Sequence, residues 1–348
     1  MRYLSVCSGI EAATVACKTN LICGAMMIDI RIGDCRNLLR EMPEKSVHTC
    51  VTSPPYFGLR DYGMDDQIGL EQTPEKFVSE MVAVFREVKR VLRDDGTLWL
   101  NLGDSYASYR DGKATPDTTR GDSKGTLVPK GSAKNRMAST FAGSTVKHKD
   151  LIGIPWRVAF ALQADGWYLR QDIIWHKPNP MPESVADRCT KAHEYIFLLS
   201  KSPKYYFDNE AIKEPVANSS VSRLSQNNLP NQLGSNRVPF KTNGTMKAVG
   251  NTENRNKRSV WTVTTKPFKG AHFATFPSDL IEPCILAGCP EGGTVLDPFG
   301  GAGTTGLVAS NHNRNAILCE LNPEYAELAR TRIENATDKQ LKMFEVVA

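Results

Sequence analysis

Hydrophobic and polar positions divide the chain into alternating strand-like and helix-like segments. Short apolar runs predict strands, and longer stretches with helical periodicity predict helices. The predicted strands span residues 26–32, 47–51, 97–102, 168–176, 194–199 and 315–319, and the predicted helices span residues 74–92, 151–164 and 277–287. Strands that alternate with helices form βα units, so the pattern predicts an α/β fold with a mostly parallel sheet.

The periodicity is lost in two polar tracts, residues 106–150 and 201–270. The first holds 9 Lys and Arg against 4 Asp and Glu, and the second holds 12 against 4. The whole chain carries a net charge of only +5, so the remaining residues are acidic on balance. A neutral-to-acidic body with two basic insertions indicates a core that binds a polyanion, although solvated loops would explain either tract alone.

Composition excludes several classes of protein. A chain of 348 residues with 41% hydrophobic content can bury one large core or two modest ones. Nine cysteines without a C-x-x-C pair favour reduced thiols and argue against a zinc site or a disulfide framework. No apolar run reaches the ~18 residues of a membrane span. We therefore expect a cytoplasmic protein that is not exported and binds no metal.

A glycine-rich turn follows a buried strand in the sequence LDPFGGAGTTG, residues 296–306. Glycines there let the backbone approach a ligand that a Cβ would exclude, and a helix is predicted to begin near Thr304. The next strand ends at Glu320, whose carboxylate is placed to accept both hydroxyl hydrogen bonds of a ribose. Together, the turn and the acid favour an adenosine-containing cofactor.

A second unusual segment, TSPPY at residues 52–56, follows the predicted strand 47–51. Neither proline can donate a hydrogen bond to a sheet, and paired prolines alone often only terminate a strand. TSPPY resembles the catalytic tetrapeptide of amino-group DNA methyltransferases, and LDPFGGAGTTG with CELNPEY resembles their S-adenosylmethionine site. The catalytic motif precedes the cofactor motif, as in the β group of that family, and the resemblance covers roughly residues 28–335.

The resemblance implies a Rossmann-like methyltransferase fold, with a mostly parallel seven-stranded sheet, helices on both faces and an inserted recognition region. It divides the chain into a catalytic half (residues 26–200), a target-recognition region (201–270) and a cofactor-binding half (271–348). Residues 1–25 are interpreted as a remnant or capping segment. HFATFP, residues 272–277, resembles the segment that closes over the cofactor, and Asp34 resembles the strand-end acid near the adenine.

Site residues follow from the same resemblance. The predicted catalytic residues are Ser53, Pro54, Pro55 and Tyr56. The predicted cofactor-binding residues are Asp34, Thr275, Phe276, Asp297, Phe299, Gly301, Gly303, Thr304, Thr305, Glu320 and Asn322. The predicted DNA-binding residues are Lys177, Arg237, Lys241, Arg255, Lys257 and Arg258. Lys177 is expected to border the base pocket or touch phosphate, with an exposed turn as the alternative, whereas His193 and Glu194 are predicted to be structural.

The chemistry of TSPPY supports its assignment. An exocyclic amine is a poor nucleophile because its lone pair is delocalised into the ring. The Ser53 hydroxyl and the Pro54 carbonyl can each accept one N–H of that amine, while the fixed φ of the prolines holds both acceptors in place. Tyr56 offers an aromatic face to a base that has been flipped out of the duplex. Direct methyl transfer without a covalent intermediate is expected.

The resemblance predicts a site-specific methyltransferase acting on double-stranded DNA. Within the family, serine at the first position of the tetrapeptide is associated with cytosine N4 and aspartate with adenine N6, so Ser53 favours cytosine. Adenine-N6 methylation is the first alternative, and a catalytically silent DNA-binding protein on the same fold is the second. The sequence leaves open whether the chain forms a homodimer and whether a cognate restriction endonuclease accompanies it.

Overall fold

A computed structural model describes residues 18–23, 26–64, 66–107, 146–217, 221–222, 253–265 and 276–347. Its strands are β1 (Lys18–Cys23), β2 (Met26–Ile32), β3 (Val47–Thr52), β4 (Leu92–Leu102), β5 (Tyr168–His176), β6 (His193–Ser200), β7 (Glu214–Pro215), β8 (Asn254–Arg255), β9 (Val260–Thr262), β10 (Thr294–Asp297) and β11 (Asn315–Glu320). Its helices are α1 (Cys35–Arg40), α2 (Pro74–Val91), α3 (Ile154–Ala164), α4 (Ser278–Gly288), α5 (Thr304–Asn311) and α6 (Pro323–Val347).

The main sheet has the order β1-β2-β11-β10-β3-β4-β6-β5-β9. Strands β2, β11, β10, β3 and β4 are mutually parallel, and β6 runs antiparallel to both of its neighbours. The seven strands from β2 to β5 confirm the predicted α/β fold with its mostly parallel seven-stranded sheet. The structure adds two edge strands that the sequence pattern did not indicate, β1 and β9.

Two hydrophobic cores cover the two faces of the sheet. Helices α1, α2 and α3 bury their apolar side chains in one core, and α4, α5 and α6 bury theirs in the other. Successive strand residues alternate between the cores: Cys50 and Leu98 belong to the first, whereas Val51 and Trp99 belong to the second. Because side chains alternate along a strand, a sheet covered on both faces needs continuous apolar runs, and this explains the consecutive apolar residues Cys50–Val51 of β3 and Leu98–Leu100 of β4.

The boundaries of α2 show how local chemistry ends and starts an element. The Thr73 side chain accepts a hydrogen bond from the Lys76 amide at 3.2 Å, and Pro74 occupies the first turn, where no amide donor is needed. The helix ends at Val91, and β4 begins with the next residue.

No helix in the described ranges is long and apolar enough to cross a lipid bilayer.

The strand directions bring many connecting segments to one edge of the sheet. The carboxyl ends of β2, β11, β10, β3 and β4 lie at that edge because these strands are parallel. The carboxyl end of β5 and the amino end of β6 also lie there, since β6 is antiparallel to β4 and β5. Ligands of open α/β sheets bind at the carboxyl ends of the strands, so a site is expected at this edge.

Candidate active site

A cavity of about 330 Å³ lies at this edge of the sheet. The residues contributed at or after the ends of β2, β10 and β11, and before α4, include Gly33, Asp34, Phe276, Phe299, Gly301, Glu320, Leu321 and Asn322. The residues contributed by β3, β4, β5, β6 and their ends, and by the segment after β9, include Ser53, Pro54, Pro55, Tyr56, Asn101, Trp175, Lys177, Glu194 and Thr265. Because β10 is the neighbour of β3, the two sets form one continuous cavity.

Glu320 lies on the cavity wall in an orientation fixed by backbone amides. Its Oε2 atom accepts a 2.7 Å hydrogen bond from the Gly301 amide, and its Oε1 atom accepts one of 2.9 Å from the Asn322 amide. Burial raises the pKa of this carboxyl above its ordinary value. Each carboxylate oxygen can accept more than one hydrogen bond, so the held carboxylate suits a ligand with two adjacent hydroxyl groups.

Asp34 supplies a second acid to the same part of the cavity. Its carboxylate caps α1, accepting a 2.8 Å hydrogen bond from the Arg36 amide, and it also pairs with the Arg36 guanidinium at 2.6 Å. Burial would raise the pKa of Asp34, but the hydrogen bonds and charge of Arg36 hold it below its ordinary value. Asp34 therefore remains an ionised acceptor beside the cavity.

Asp297 lies behind the cavity wall. It is almost completely buried, with Oδ1 accepting 2.6 Å and 3.0 Å hydrogen bonds from the Thr52 hydroxyl and the Phe299 amide, while Oδ2 accepts one of 2.6 Å from the Thr305 hydroxyl. Burial raises its pKa, and the two hydroxyl groups act in the opposite direction. Since Thr52 belongs to TSPPY and Thr305 follows the glycine-rich turn, Asp297 joins the two motifs.

Gly303, Thr304 and Thr305 are likewise absent from the cavity lining. Gly303 has a φ of +73°, and a Cβ there would lie 2.8 Å from the Cβ of Ala329, so glycine is required by both the backbone conformation and the packing of α6. The structure thus places Asp297, Gly303, Thr304 and Thr305 where they shape the turn, and direct contact between them and a cofactor stays a prediction. Thr275 lies outside the described residues.

The four predicted catalytic residues all line the cavity. Tyr56 is held from two directions: its hydroxyl donates a 2.7 Å hydrogen bond to Glu194, and its ring lies against Gly103. A Cβ on residue 103 would come within 2.4 Å of the Tyr56 ring. Burial and then the neighbouring Glu194 carboxylate raise the pKa of Tyr56, so its phenol stays protonated and donates.

Glu194 lines the cavity, so the structural role predicted for it from the sequence is incomplete. Its Oε1 atom accepts a hydrogen bond from the Lys177 ammonium, and its Oε2 atom accepts from the Tyr56 hydroxyl and, at 3.3 Å, from the Asn101 side-chain amide. The Lys177 ammonium also lies 4.2 Å from the centre of the Trp175 ring. Asn101 and Trp175 were not predicted at all, because nothing in the chain order reveals that β6 and β5 lie beside β4.

Three further predicted DNA-binding residues lie in the segment that precedes β9. Arg255 and Arg258 share one oxygen of Glu214, at 2.9 and 2.6 Å, and the Lys257 ammonium lies 5.1 Å from the centre of the Trp261 ring. They sit next to β9, whose residues pair with the end of β5. Of the described residues of the predicted recognition region, Thr265 lines the cavity. Arg237 and Lys241 lie outside the described residues.

The residues of the cavity fit an adenosine cofactor at one side and a flipped base at the other. Glu320 and Asp34 offer acceptors for hydroxyl and amino groups, and Phe276, Phe299 and Leu321 offer apolar surface beside them. Across from these, Ser53 and Pro54 lie next to the fixed ring of Tyr56. The arrangement places these two sets of groups in one continuous cavity, as a reaction between two bound molecules would require.

Comparison with known proteins gives a consistent result. A family model for DNA methylases, N6_N4_Mtase, matches residues 47–331. The Type II methyltransferase M.Cfr9I of Citrobacter freundii is 48% identical over 302 residues, which cover 87% of this chain and 86% of that protein. The Type II methyltransferase M.SmaI of Serratia marcescens is 46% identical over 304 residues, covering 87% and 90% respectively.

Two solved structures share the fold. PvuII DNA methyltransferase (cytosine-N4-specific) superposes with a TM-score of 0.55 at 20% identity, covering 90% of this chain and 92% of the other. A putative DNA modification methylase from Thermus thermophilus, complexed with S-adenosyl-L-methionine, gives a TM-score of 0.51 at 24% identity and covers 88% and 94%. Both likenesses support the Rossmann-like methyltransferase architecture.

Proposed function

Because the chain belongs to the N6_N4_Mtase family of DNA methylases, whose cofactor is S-adenosylmethionine, we propose that it methylates the exocyclic N4 amine of cytosine at a specific site in double-stranded DNA. The observation that carries this proposal is the neutral Ser53 hydroxyl beside Pro54 on the wall of a cavity that continues to Glu320 and Asp34. In the family that this sequence resembles, serine at this position accompanies cytosine as the target.

The residues of TSPPY act on the target amine. The cofactor supplies an electrophilic methyl group on a sulfonium. Ser53 and Pro54 each accept one N–H of the amine, which directs the nitrogen lone pair towards that methyl group. The new bond between nitrogen and the methyl carbon forms as the methyl–sulfur bond breaks, with the electron pair of that bond kept by sulfur. The positive charge that develops on nitrogen is stabilised by the same two oxygens, and one proton passes from the nitrogen to water after the transfer. The Tyr56 ring stacks on one face of the base, and this keeps the amine level with the acceptor oxygens of Ser53 and Pro54.

The other cavity residues hold the cofactor. The Glu320 carboxylate accepts the ribose hydroxyl groups, and its two backbone hydrogen bonds keep both oxygens in place for that purpose. Asp34, which lies in the same part of the cavity, accepts a further hydrogen bond from the adenosine. Asp297 does not touch the ligand in this proposal but keeps the glycine-rich turn and TSPPY at a fixed separation.

Site specificity and a biological partner are inferred from the relatives. M.Cfr9I and M.SmaI are Type II methyltransferases, and each is aligned with this chain over most of its length. We infer that this chain also modifies one DNA sequence and protects it from a cognate restriction endonuclease. The basic tracts of the chain would bind the phosphate backbone around that sequence.

The direct test is incubation of the protein with mixed-sequence DNA and isotopically labelled S-adenosylmethionine, followed by mass spectrometry of the nucleosides. Labelled N4-methyldeoxycytidine is expected, and sequencing of the modified DNA then maps the site. Ser53→Ala is the matched control, with methyl transfer slowed by about 10²-fold and cofactor affinity retained. Labelled N6-methyldeoxyadenosine would show that the base assignment is wrong. Cofactor binding without any labelled nucleoside would support the silent DNA-binding protein instead.

A further inference from the structure

We propose that Lys177 recognises the ring acceptors of the flipped base and that Glu194 holds it in position to do so, which makes this pair the determinant of cytosine over adenine. The inference rests on the proposed function, because it concerns the base side of the same cavity. It starts from the contacts of two charged side chains that are 18% and 14% exposed and that both line the cavity.

Most acceptor sites of Glu194 are already used. One oxygen accepts from Lys177, and the other accepts from Tyr56 and Asn101. A carboxylate has about four acceptor sites, and three of those of Glu194 are occupied, against two of Glu320, so Glu194 has little capacity left for a further amine. This side of the cavity therefore presents the ammonium of Lys177 to a ligand as a donor, not the carboxylate as an acceptor.

The Lys177 ammonium has N–H donors that Glu194 does not use. An ammonium carries three N–H groups, of which Glu194 takes one, while the Trp175 ring lies 4.2 Å away beneath the charge. The ion pair and the ring fix the ammonium in place without using all of its hydrogen atoms. A largely buried ion pair contributes little to the stability of the fold, because the loss of hydration of both charges offsets their attraction and apolar side chains would stabilise the same place equally well. Stability alone therefore does not explain this pair.

The pattern of donors and acceptors fits cytosine better than adenine. The amine of either base can donate to Ser53 and Pro54. Beyond the amine, cytosine presents two acceptors in succession, N3 and O2, whereas adenine presents N1 and then a C–H group. A cation with two free N–H groups can be satisfied by both cytosine acceptors but by only one of adenine. Buried polar groups left unpaired are strongly selected against, so Lys177 discriminates between the two bases.

The inference is tested with synthetic duplexes that carry the mapped site with either cytosine or adenine at the target position. Single-turnover methylation rates are measured for the wild type and for Lys177→Met. The variant should lose about 10- to 100-fold of the rate on cytosine and much less on adenine, so that the cytosine-to-adenine ratio falls. Cofactor affinity, measured by calorimetry, should not change, because Lys177 lies at the base side of the cavity.

A matched control is available in Lys191, another largely buried lysine near Glu194. Its ammonium donates a 2.9 Å hydrogen bond to the Asp104 carbonyl, and it does not line the cavity. Lys191→Met should alter the rates on both duplexes by the same factor and leave their ratio unchanged.

Because Lys177→Met leaves the Glu194 charge without its partner, the double variant Lys177→Met/Glu194→Gln is measured as well. It removes both charges, keeps an acceptor for Tyr56 and should show the same fall in the ratio.

The outcomes separate this inference from the function on which it rests. A wild type that modifies cytosine, with Lys177 variants that keep the cytosine-to-adenine ratio within about twofold, overturns the role of Lys177 alone. If the double variant loses methylation rate equally on the cytosine and adenine duplexes, the role of Lys177 is overturned too, because an ion pair with only a structural role would have that effect. A wild type that modifies adenine overturns the proposed function first, before any variant is compared.

Discussion

The Tyr56 hydroxyl donates a 2.7 Å hydrogen bond to Glu194, so the aromatic residue of TSPPY is tied to a side chain that lies 138 positions later in the chain. The ring packs on Gly103 at the end of β4, and the hydroxyl reaches the start of β6. Tyr56 is therefore a fixed surface in the free protein, and a flipped base would meet a ring that is already in position.

Removing the hydroxyl and removing the ring should have different effects. Tyr56→Phe keeps the stacking surface and should lower base retention only a few-fold, because Glu194 keeps Lys177 and Asn101 as donors. Tyr56→Ala removes the stacking surface and should weaken base retention by roughly 1–3 kcal/mol. Fluorescence of a 2-aminopurine or pyrrolocytosine placed at the target position reports both. Equal effects of the two substitutions would mean that the hydrogen bond, not the ring, retains the base.

Gly103→Ala should reproduce the loss caused by Tyr56→Ala through a different residue. The added methyl group would lie 2.4 Å from the Tyr56 ring and would force the ring out of its place. In a Tyr56→Ala background the same change meets no ring and should be nearly neutral, which a double-mutant cycle measures as a strong coupling. Additive losses in that cycle would show that residue 103 acts on the base independently of Tyr56.

Substitution of Asp297 should mainly lower the stability of the fold, whereas substitution of Glu320 should mainly lower cofactor affinity. Asp297→Ala leaves the Thr52 and Thr305 hydroxyls without their acceptor in a buried place, at a cost of about 2–4 kcal/mol in the free energy of unfolding. Glu320→Gln loses the charge and turns an NH2 group towards one of the two backbone amides, so cofactor affinity should fall, with a smaller loss of stability than in Asp297→Ala. Chemical denaturation and calorimetric titration of both variants test this. A stable Asp297→Ala variant that fails to bind cofactor would place Asp297 in direct contact with it.

Cofactor affinity should fall in mild acid. The Glu320 carboxyl has a pKa raised by burial, and it must be ionised for both oxygens to accept hydroxyl hydrogen bonds. As the pH falls through that raised pKa, the carboxyl takes up a proton and one acceptor is lost, so affinity declines earlier than it would with an ordinary glutamate. Calorimetric titrations from about pH 8 to about pH 5 should show the decline, and Glu320→Gln should flatten it. Asp34, whose pKa is lowered, stays ionised over this range.

Arg258 should contribute to DNA affinity through phosphate. Its side chain is 67% exposed although it shares Glu214 with Arg255. Arg258→Gln should weaken binding to any sequence and reduce the slope of log affinity against log salt by about one. Lys45→Gln is the matched control, because Lys45 is also exposed and paired, with Asp94, but precedes β3 at the opposite edge of the sheet. A slope that falls equally in both variants would mean that DNA does not bind preferentially near β9.

Much of the fold could be predicted because most strands of the sheet contain short apolar runs. Residues 26–32 and 168–176 have the bounds predicted for them, since each run is flanked by turn residues. The strands β1 and β9 were missed because an edge strand needs neither a long apolar run nor strict alternation. The site was predicted where it depends on sequence neighbours, as at Ser53 and Tyr56. Glu194 was missed because its function comes from the strand beside it, and an antiparallel neighbour has no local signal.

The position of β10 and β11 has a consequence for how the protein folds. These strands come from the last part of the chain, yet they lie between β2 and β3, which come from its beginning. Until they are in place, β2 and β3 have no contact along the sheet, and neither the glycine-rich turn nor the Asp297 contacts exist. Pairings between such distant segments form slowly because long loops must close first. A nascent chain must therefore extend beyond Glu320 before its cofactor site can form, and shorter chains lack that site.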